Sequence, residues 1–186
     1  MANTAQHLVL MVFISLVVSF TEAKWAESVE ATKEATPSQT VTNLQFYFHD
    51  TVSGKNPSAV RVAQASDTEK SPTLFGALLM ADDPLTETPD PNSKLVGRAQ
   101  GLYGSSCQQE LGLIMAMSFA FSDGTYNGSS ISIFGKNPIT NPIRELPVVG
   151  GTGVFRLARG YAIAHTHWVN ATAGDAVVGY NVTVVH

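Results

Sequence analysis

The chain carries a single cysteine, Cys107, in 186 residues. It therefore cannot build an internal disulfide, a C-x-x-C redox pair or a thiolate zinc cage. Cationic residues are few and scattered, with 11 Lys and Arg against 15 Asp and Glu and a net charge of −4. The concentrated positive face of a nucleic-acid binder is absent. No G-x-S-x-G elbow for serine hydrolysis is present. Gly150-Gly151-Thr152-Gly153 lacks the Lys-Ser/Thr ending of a phosphate loop, and no helical pattern follows it, so it reads as a tight turn between strands.

The run from Leu8 to Phe20, 13 residues broken only by Ser15 and Ser19, is too short for a membrane-spanning helix, which needs about 20. With the small Ala23 after it, residues 1–23 are expected to be a secretory signal, although Met1 to His7 has no Lys or Arg. Its removal deletes Glu22 alone among the charges, taking the net charge from −4 to −3. Export gives meaning to three glycan acceptors, Asn127-Gly128-Ser129, Asn170-Ala171-Thr172 and Asn181-Val182-Thr183. Residues 24–42, polar and without a sustained apolar stripe, are expected to form a flexible arm. One domain follows over residues 43–186, and 44% hydrophobic residues suffice for its core.

From Leu44 the hydrophobic period becomes two. Leu44, Phe46 and Phe48 alternate with Gln45, Tyr47 and His49. Leu111, Leu113, Met115, Met117, Phe119 and Phe121 alternate with Gly112, Ile114, Ala116, Ser118 and Ala120. Ser122 to Thr125 reads as a hairpin turn, and Ser129–Phe134, Tyr161–Trp168 and Ala176–Val185 read as further strands. No 3.6-residue stripe appears after residue 43. The fold is all-β. A closed barrel suits strands that are apolar or small on both faces; a sandwich competes, and the pattern leans to the barrel.

Along Leu95–Tyr103, Gly97, Ala99 and Gly101 share one face. They either leave room for a ligand or admit close backbone contact. Asp50 continues the apolar face of Leu44, Phe46 and Phe48, so it either meets solvent at the strand end or stands in an apolar interior as an acid with a raised pKa. His165 and His167 form an H-x-H pair of the kind cupin metalloproteins use, but no carboxylate follows nearer than Asp175. A cupin-like metal site is the remote alternative, and no metal is expected.

Five strings occur in order: Phe46-Tyr47-Phe48-His49-Asp50, Ala81-Asp82-Asp83-Pro84-Leu85-Thr86, Val96-Gly97-Arg98-Ala99-Gln100-Gly101-Leu102-Tyr103, Arg144-Glu145-Leu146-Pro147-Val148-Val149-Gly150-Gly151-Thr152-Gly153 and Phe155-Arg156-Leu157-Ala158-Arg159-Gly160-Tyr161-Ala162. Together they resemble the plant dirigent family over residues 43–186. The resemblance implies an eight-stranded antiparallel barrel with a central apolar cavity, a homo-oligomer (trimer or dimer), no cofactor, and secretion to the apoplast. Such proteins impart stereoselectivity on phenoxy-radical coupling or quinone-methide cyclisation of plant phenolics. Where radicals are involved, a separate laccase or peroxidase supplies them. Relatives resembling pterocarpan synthase instead act as lyases that dehydrate and cyclise a hydroxylated isoflavanol. Nucleic-acid and membrane partners are not implied.

Carried over by position, Asp50 corresponds to a cavity acid, Arg144 to a cavity arginine that steadies phenolate charge, and Tyr103 to a cavity tyrosine against the substrate ring. Asn137 stands where lignan-forming members have a second aspartate, and it is expected to contact substrate without acting as an acid. Asp50 is then the main ionisable acid expected. The barrel-end cysteines of those members are missing too. These departures bring the chain nearer to the pterocarpan synthase-like branch.

Overall fold

The structure, a computed structural model, describes residues 39–186. The leader expected over residues 1–23 and most of the arm lie outside the described residues.

Nine strands follow in order: β1 (Val41–Asp50), β2 (Ala59–Ala63), β3 (Leu78–Thr86), β4 (Leu95–Ser105), β5 (Gly112–Phe121), β6 (Ser130–Pro138), β7 (Arg144–Thr152), β8 (Arg159–Asn170) and β9 (Asp175–Val185). All pair antiparallel, in the spatial order β1-β9-β8-β7-β6-β5-β4-β3-β2, and β1 also pairs with β3. That last contact closes eight strands into a barrel and leaves β2 as an extra strand on the edge of β3. Closure satisfies backbone groups that an open sheet would leave exposed at two edges.

The closing seam is short. Only Tyr47↔Thr86 and Phe48↔Leu85 pair across it, whereas β1 and β9 pair from Val41↔Val185 to Asp50↔Ala176. Beyond Leu85 the chain of β1 leaves, and β2 takes over the same edge of β3 from Ala59↔Ala81.

Alternation decides what fills the barrel. Met115, Met117, Phe119 and Phe121 are buried inward on β5, and the small or medium residues between them are half-exposed outside. Phe46, Phe119 and Tyr180 pack ring against ring, with Phe46–Phe119 and Phe119–Tyr180 centroids both 5.1 Å apart. Phe121 and Phe155 continue this aromatic core toward the end where β1 starts. Such edge-on pairs each add about 0.5–1.5 kcal/mol beyond area burial.

The small face of β4 serves close backbone approach. A Cβ on Gly97 would lie 2.3 Å from the Ala120 carbonyl oxygen, and one on Gly101 would lie 2.2 Å from that of Ala116. The neighbouring strand β5 therefore occupies the space that Gly97 and Gly101 leave. The turn expected at Gly150–Gly153 starts later than its glycines suggest. Gly150, Gly151 and Thr152 belong to β7, and a short 3-10 turn covers Gly153–Phe155. Gly151 sits in the strand because Phe155 and Ser130 crowd the place of a Cβ.

Candidate functional site

The barrel has one end sealed by aromatics and one end carrying polar groups. β1, β4, β6 and β8 finish at the second end, and β5, β7 and β9 begin there. Strand parity turns Asp50, Asp83, Tyr103, Asn137, Arg144 and Thr166 inward near that end or toward it.

Asp50 is half-buried and accepts a hydrogen bond from the Tyr103 hydroxyl at 3.0 Å. Burial pushes its pKa up to about 6, opposed by the Tyr103 bond and aided by the Asp175 charge. Burial also raises the Tyr103 phenol, with the negative field of Asp50 and the bond to it acting in the same direction, so the phenol remains a donor at physiological pH.

Asp83 is the residue that sequence reading missed. Its side chain is fully buried, and neither carboxylate oxygen has a hydrogen-bond partner. Burial, then repulsion from Asp50, lifts its pKa to about 7. Parity could have found it, because Asp83 lies between Ala81 and Leu85, both buried on the same face of β3. Asp50 is thus one of two interior acids.

Arg144 is 3% exposed and takes part in none of the ion pairs among the described residues. Its Nη1 donates to Thr166 Oγ1 at 2.8 Å and to the Asn141 carbonyl at 3.2 Å, and its Nε has no partner. Asn137 is buried on β6 with its Oδ1 unpartnered. Tyr180, fully buried beside the aromatic core, feels the Arg144 charge. The interior therefore has an acidic pole on β1, β3 and β4 and a cationic pole on β7. The two poles and Asn137 carry four buried polar atoms with no protein partner: both Asp83 oxygens, Asn137 Oδ1 and Arg144 Nε. Buried polar groups without partners are costly, so such a set marks a place where another molecule can complete the hydrogen bonds.

The histidine pair lies elsewhere, on the outside of β8. The His165 ring covers Gly179, and His167, the extra residue of a β-bulge, meets Tyr47 edge-on with centroids 5.8 Å apart. Among the described residues no three His, Cys, Asp or Glu side chains converge. Asn127, Asn170 and Asn181 are all exposed, the last on the outer face of β9.

A family model described as "Dirigent-like protein" matches residues 41–185. The chain belongs to the dirigent family. Dirigent protein 23 of Arabidopsis thaliana is 68% identical over 162 residues, covering 87% of this chain and 84% of that protein. Pterocarpan synthase 1 of Glycyrrhiza echinata is 44% identical over 187 residues, covering 100% of both. A solved pterocarpan synthase dirigent protein superposes with a TM-score of 0.75 at 48% identity, covering 82% of this chain and 88% of that one. In this barrel the side chains of Asp50, Tyr103 and Arg144 share the interior with Asp83, and Arg144 bonds the exposed Thr166 at the polar end.

Proposed function

We propose that this dirigent protein holds a phenolic quinone-methide precursor in an apolar cavity at the polar end of its barrel and directs its cyclisation to one stereoisomer. The observation that carries the reading is the pairing of two protonatable carboxyls at one pole with an ion-pair-free arginine at the other. A substrate with a benzylic hydroxyl and a conjugated phenol, such as a hydroxylated isoflavanol, fits both poles. The protonated member of Asp50 and Asp83 gives its proton to the departing hydroxyl as the carbon–oxygen bond breaks and water leaves. The conjugated phenol gives its own proton to water as the neutral quinone methide forms. A second phenol of the same molecule then attacks the benzylic carbon and returns a proton to the carboxylate, while Arg144, free of a competing carboxylate, steadies the negative charge that builds on the first phenolic oxygen until water reprotonates it. The walls select the face of attack. No oxidant is consumed.

Incubation of the pure protein with a hydroxylated isoflavanol, without an oxidase, tests the reading by release of water and formation of one enantiomer. The second reading is a stereochemical guide for phenoxy radicals made by a separate laccase or peroxidase. The family membership supports it, and coniferyl alcohol with laccase reports it through enantiomeric excess.

Further parts of the reading are export to the apoplast and glycosylation at Asn127, Asn170 and Asn181, supported by their exposure. Assembly with further copies of the chain is supported by an outward row across β2–β6. There Val60, Met80, Leu102, Ala116 and Phe134 are successive register partners. Val60, Met80 and Phe134 are exposed despite their size. Light scattering of wild type and Phe134→Lys reads the oligomer.

A further inference from the structure

Asp50 and Asp83 stand at a particular place in the barrel wall. Continuing the Tyr47↔Thr86 and Phe48↔Leu85 register by two residues sets Asp50 opposite Asp83, both facing inward. The backbone ladder has ended by then, and the sequence supplies the reason. The Asp82 N–H points to the closing edge of β3, where the Ser58 carbonyl accepts it at 2.9 Å. Two residues on, Pro84 presents the same edge and has no N–H to give. The two acids therefore face each other across a stretch of wall that the backbone does not hold.

A side-chain bond lies directly behind them. His49 and Thr86 project to the outer face, yet both are buried. His49 Nε2 lies 2.6 Å from Thr86 Oγ1, and that hydroxyl donates to the Thr88 carbonyl at 2.7 Å. With its hydrogen committed to Thr88, Thr86 accepts, so the His49 ring donates from Nε2. This diagonal cross-strand bond replaces the rung that Pro84 cannot make.

We propose that His49 is a positioning residue that acts through Thr86 to fix the spacing of β1 and β3, and with it the approach of Asp50 to Asp83. This rests on the acid role given to that pair above. Two like charges so placed cannot both ionise cheaply, and the distance between them sets how firmly one proton is held. The other groups acting there are Tyr103 from β4 and Asp175 on Asp50, the Ser58 hydroxyl, Arg98 and Asp82 on Asp83, and Asp90 on His49. Ser58 also donates to the His49 carbonyl, but none of these side chains bonds the His49 ring or the Thr86 hydroxyl.

The test titrates the Asp50 and Asp83 carboxyl carbons by NMR in wild type, Thr86→Val, His49→Phe and His49→Gln, with the fold checked by amide spectra. Thr86→Val and His49→Phe should lower the upper midpoint by about one pH unit as the seam relaxes and hydrates. Asp82, outside the barrel, should titrate as before. His49→Gln, which still donates an N–H, should return the midpoint toward wild type. On an isoflavanol that the wild type turns over, kcat should fall about tenfold in the first two variants while KM stays within about twofold. Carboxyl titrations that superimpose on wild type in both folded variants overturn the proposal. So does a His49→Gln that behaves like His49→Phe, or loss of the fold in both Thr86→Val and His49→Phe, since the bond is then a folding element only. A wild type that ignores isoflavanols while its carboxyls respond to the variants leaves the positioning role standing and removes the lyase reading.

Discussion

Tyr103 on β4 donates its hydroxyl to Asp50 on β1 at 3.0 Å, joining two strands that are not neighbours in the sheet. The bond runs through the interior and bypasses β3, which carries Asp83. It gives the carboxylate form of Asp50 a partner and leaves Asp83 with none. The two acids are thereby unequal, and Asp83 has the higher pKa of the two, about 7 against about 6.

Tyr103→Phe removes the one hydrogen bond that favours ionised Asp50. The Asp50 midpoint should rise above its value of about 6, as an NMR titration reads. Stability at pH 8 should fall by about 1–3 kcal/mol, the cost of leaving a buried acceptor unpaired. A fall of the midpoint would mean that Tyr103 stands near Asp50 without bonding it.

Both acids are raised above their unfolded values, and the sign of the pH dependence follows. Between about pH 4 and pH 7 the folded chain holds protons that the unfolded chain has released, so stability falls as pH rises through that window. The contribution is fully present below the ordinary carboxyl value of 3.8 and is lost above the folded values of about 6 and about 7. His49, lowered by burial, opposes this: its contribution is lost as pH falls below its ordinary 6.5. Asp83→Asn removes the larger cost and should stabilise the protein at pH 8 by on the order of 2 kcal/mol, with little change at pH 4. Urea unfolding at the two pH values checks it.

Gly101→Ala tests the close approach of β4 and β5. The added Cβ would meet the Ala116 carbonyl oxygen at 2.2 Å, backbone against backbone, and Gly101 holds a φ of +151° that L side chains rarely adopt. Neither strand can yield without opening the barrel. A loss of at least about 2–3 kcal/mol in stability is expected by thermal unfolding.

Arg144→Lys keeps the charge and loses the planar guanidinium, whose Nη1 alone bonds both Thr166 and Asn141 while Nε stays free for a ligand. Turnover of an accepted isoflavanol should fall by roughly 10- to 100-fold, equivalent to about 1–3 kcal/mol of transition-state stabilisation. An unchanged rate and enantiomeric excess would remove Arg144 from the site.

Much of this was legible because a period of two sorts side chains without ambiguity on a barrel. The alternations at Leu44–Phe48 and Leu113–Phe121 name inward residues that are buried or half-buried in the fold, whereas Leu111, expected on the same face, lies exposed before β5; the parity of β1 turns Asp50 inward. The partnership of Asp50 was not legible, since Tyr103 meets it only once the barrel closes. Asp83 escaped because Pro84 and the polar Asp82 obscure the apolar parity of β3, and proline argues against a central strand. In the fold that proline sits at the closing seam, where a missing N–H is tolerated. The glycines of β4 allowed two readings, and only the position of β5 decides between them. His49 carries no sequence signal of its own role, because its partner Thr86 lies 37 positions away.

Asp50→Asn is the most informative single change at the site, because the second acid makes its outcome specific. The amide keeps the size of Asp50 and can still accept from Tyr103, so the fold should survive. It removes one charge from a facing pair, and Asp83 should then titrate lower, toward the ordinary carboxyl range, because repulsion from Asp50 is one of the causes that hold it at about 7. Asp83 would remain an acid, but one less often protonated near neutral pH. Under the lyase reading the rate should fall, with the alkaline limb of its pH profile displaced to lower pH. Asp50→Asn combined with Asp83→Asn should lose about 10²–10⁴-fold, the usual range for a general acid, with that alkaline limb gone. Under the guide reading turnover by the external oxidase continues in every variant, and only enantiomeric excess declines. A double variant that folds and matches wild type in rate, pH profile and enantiomeric excess would show that the two interior carboxyls take no part in the chemistry.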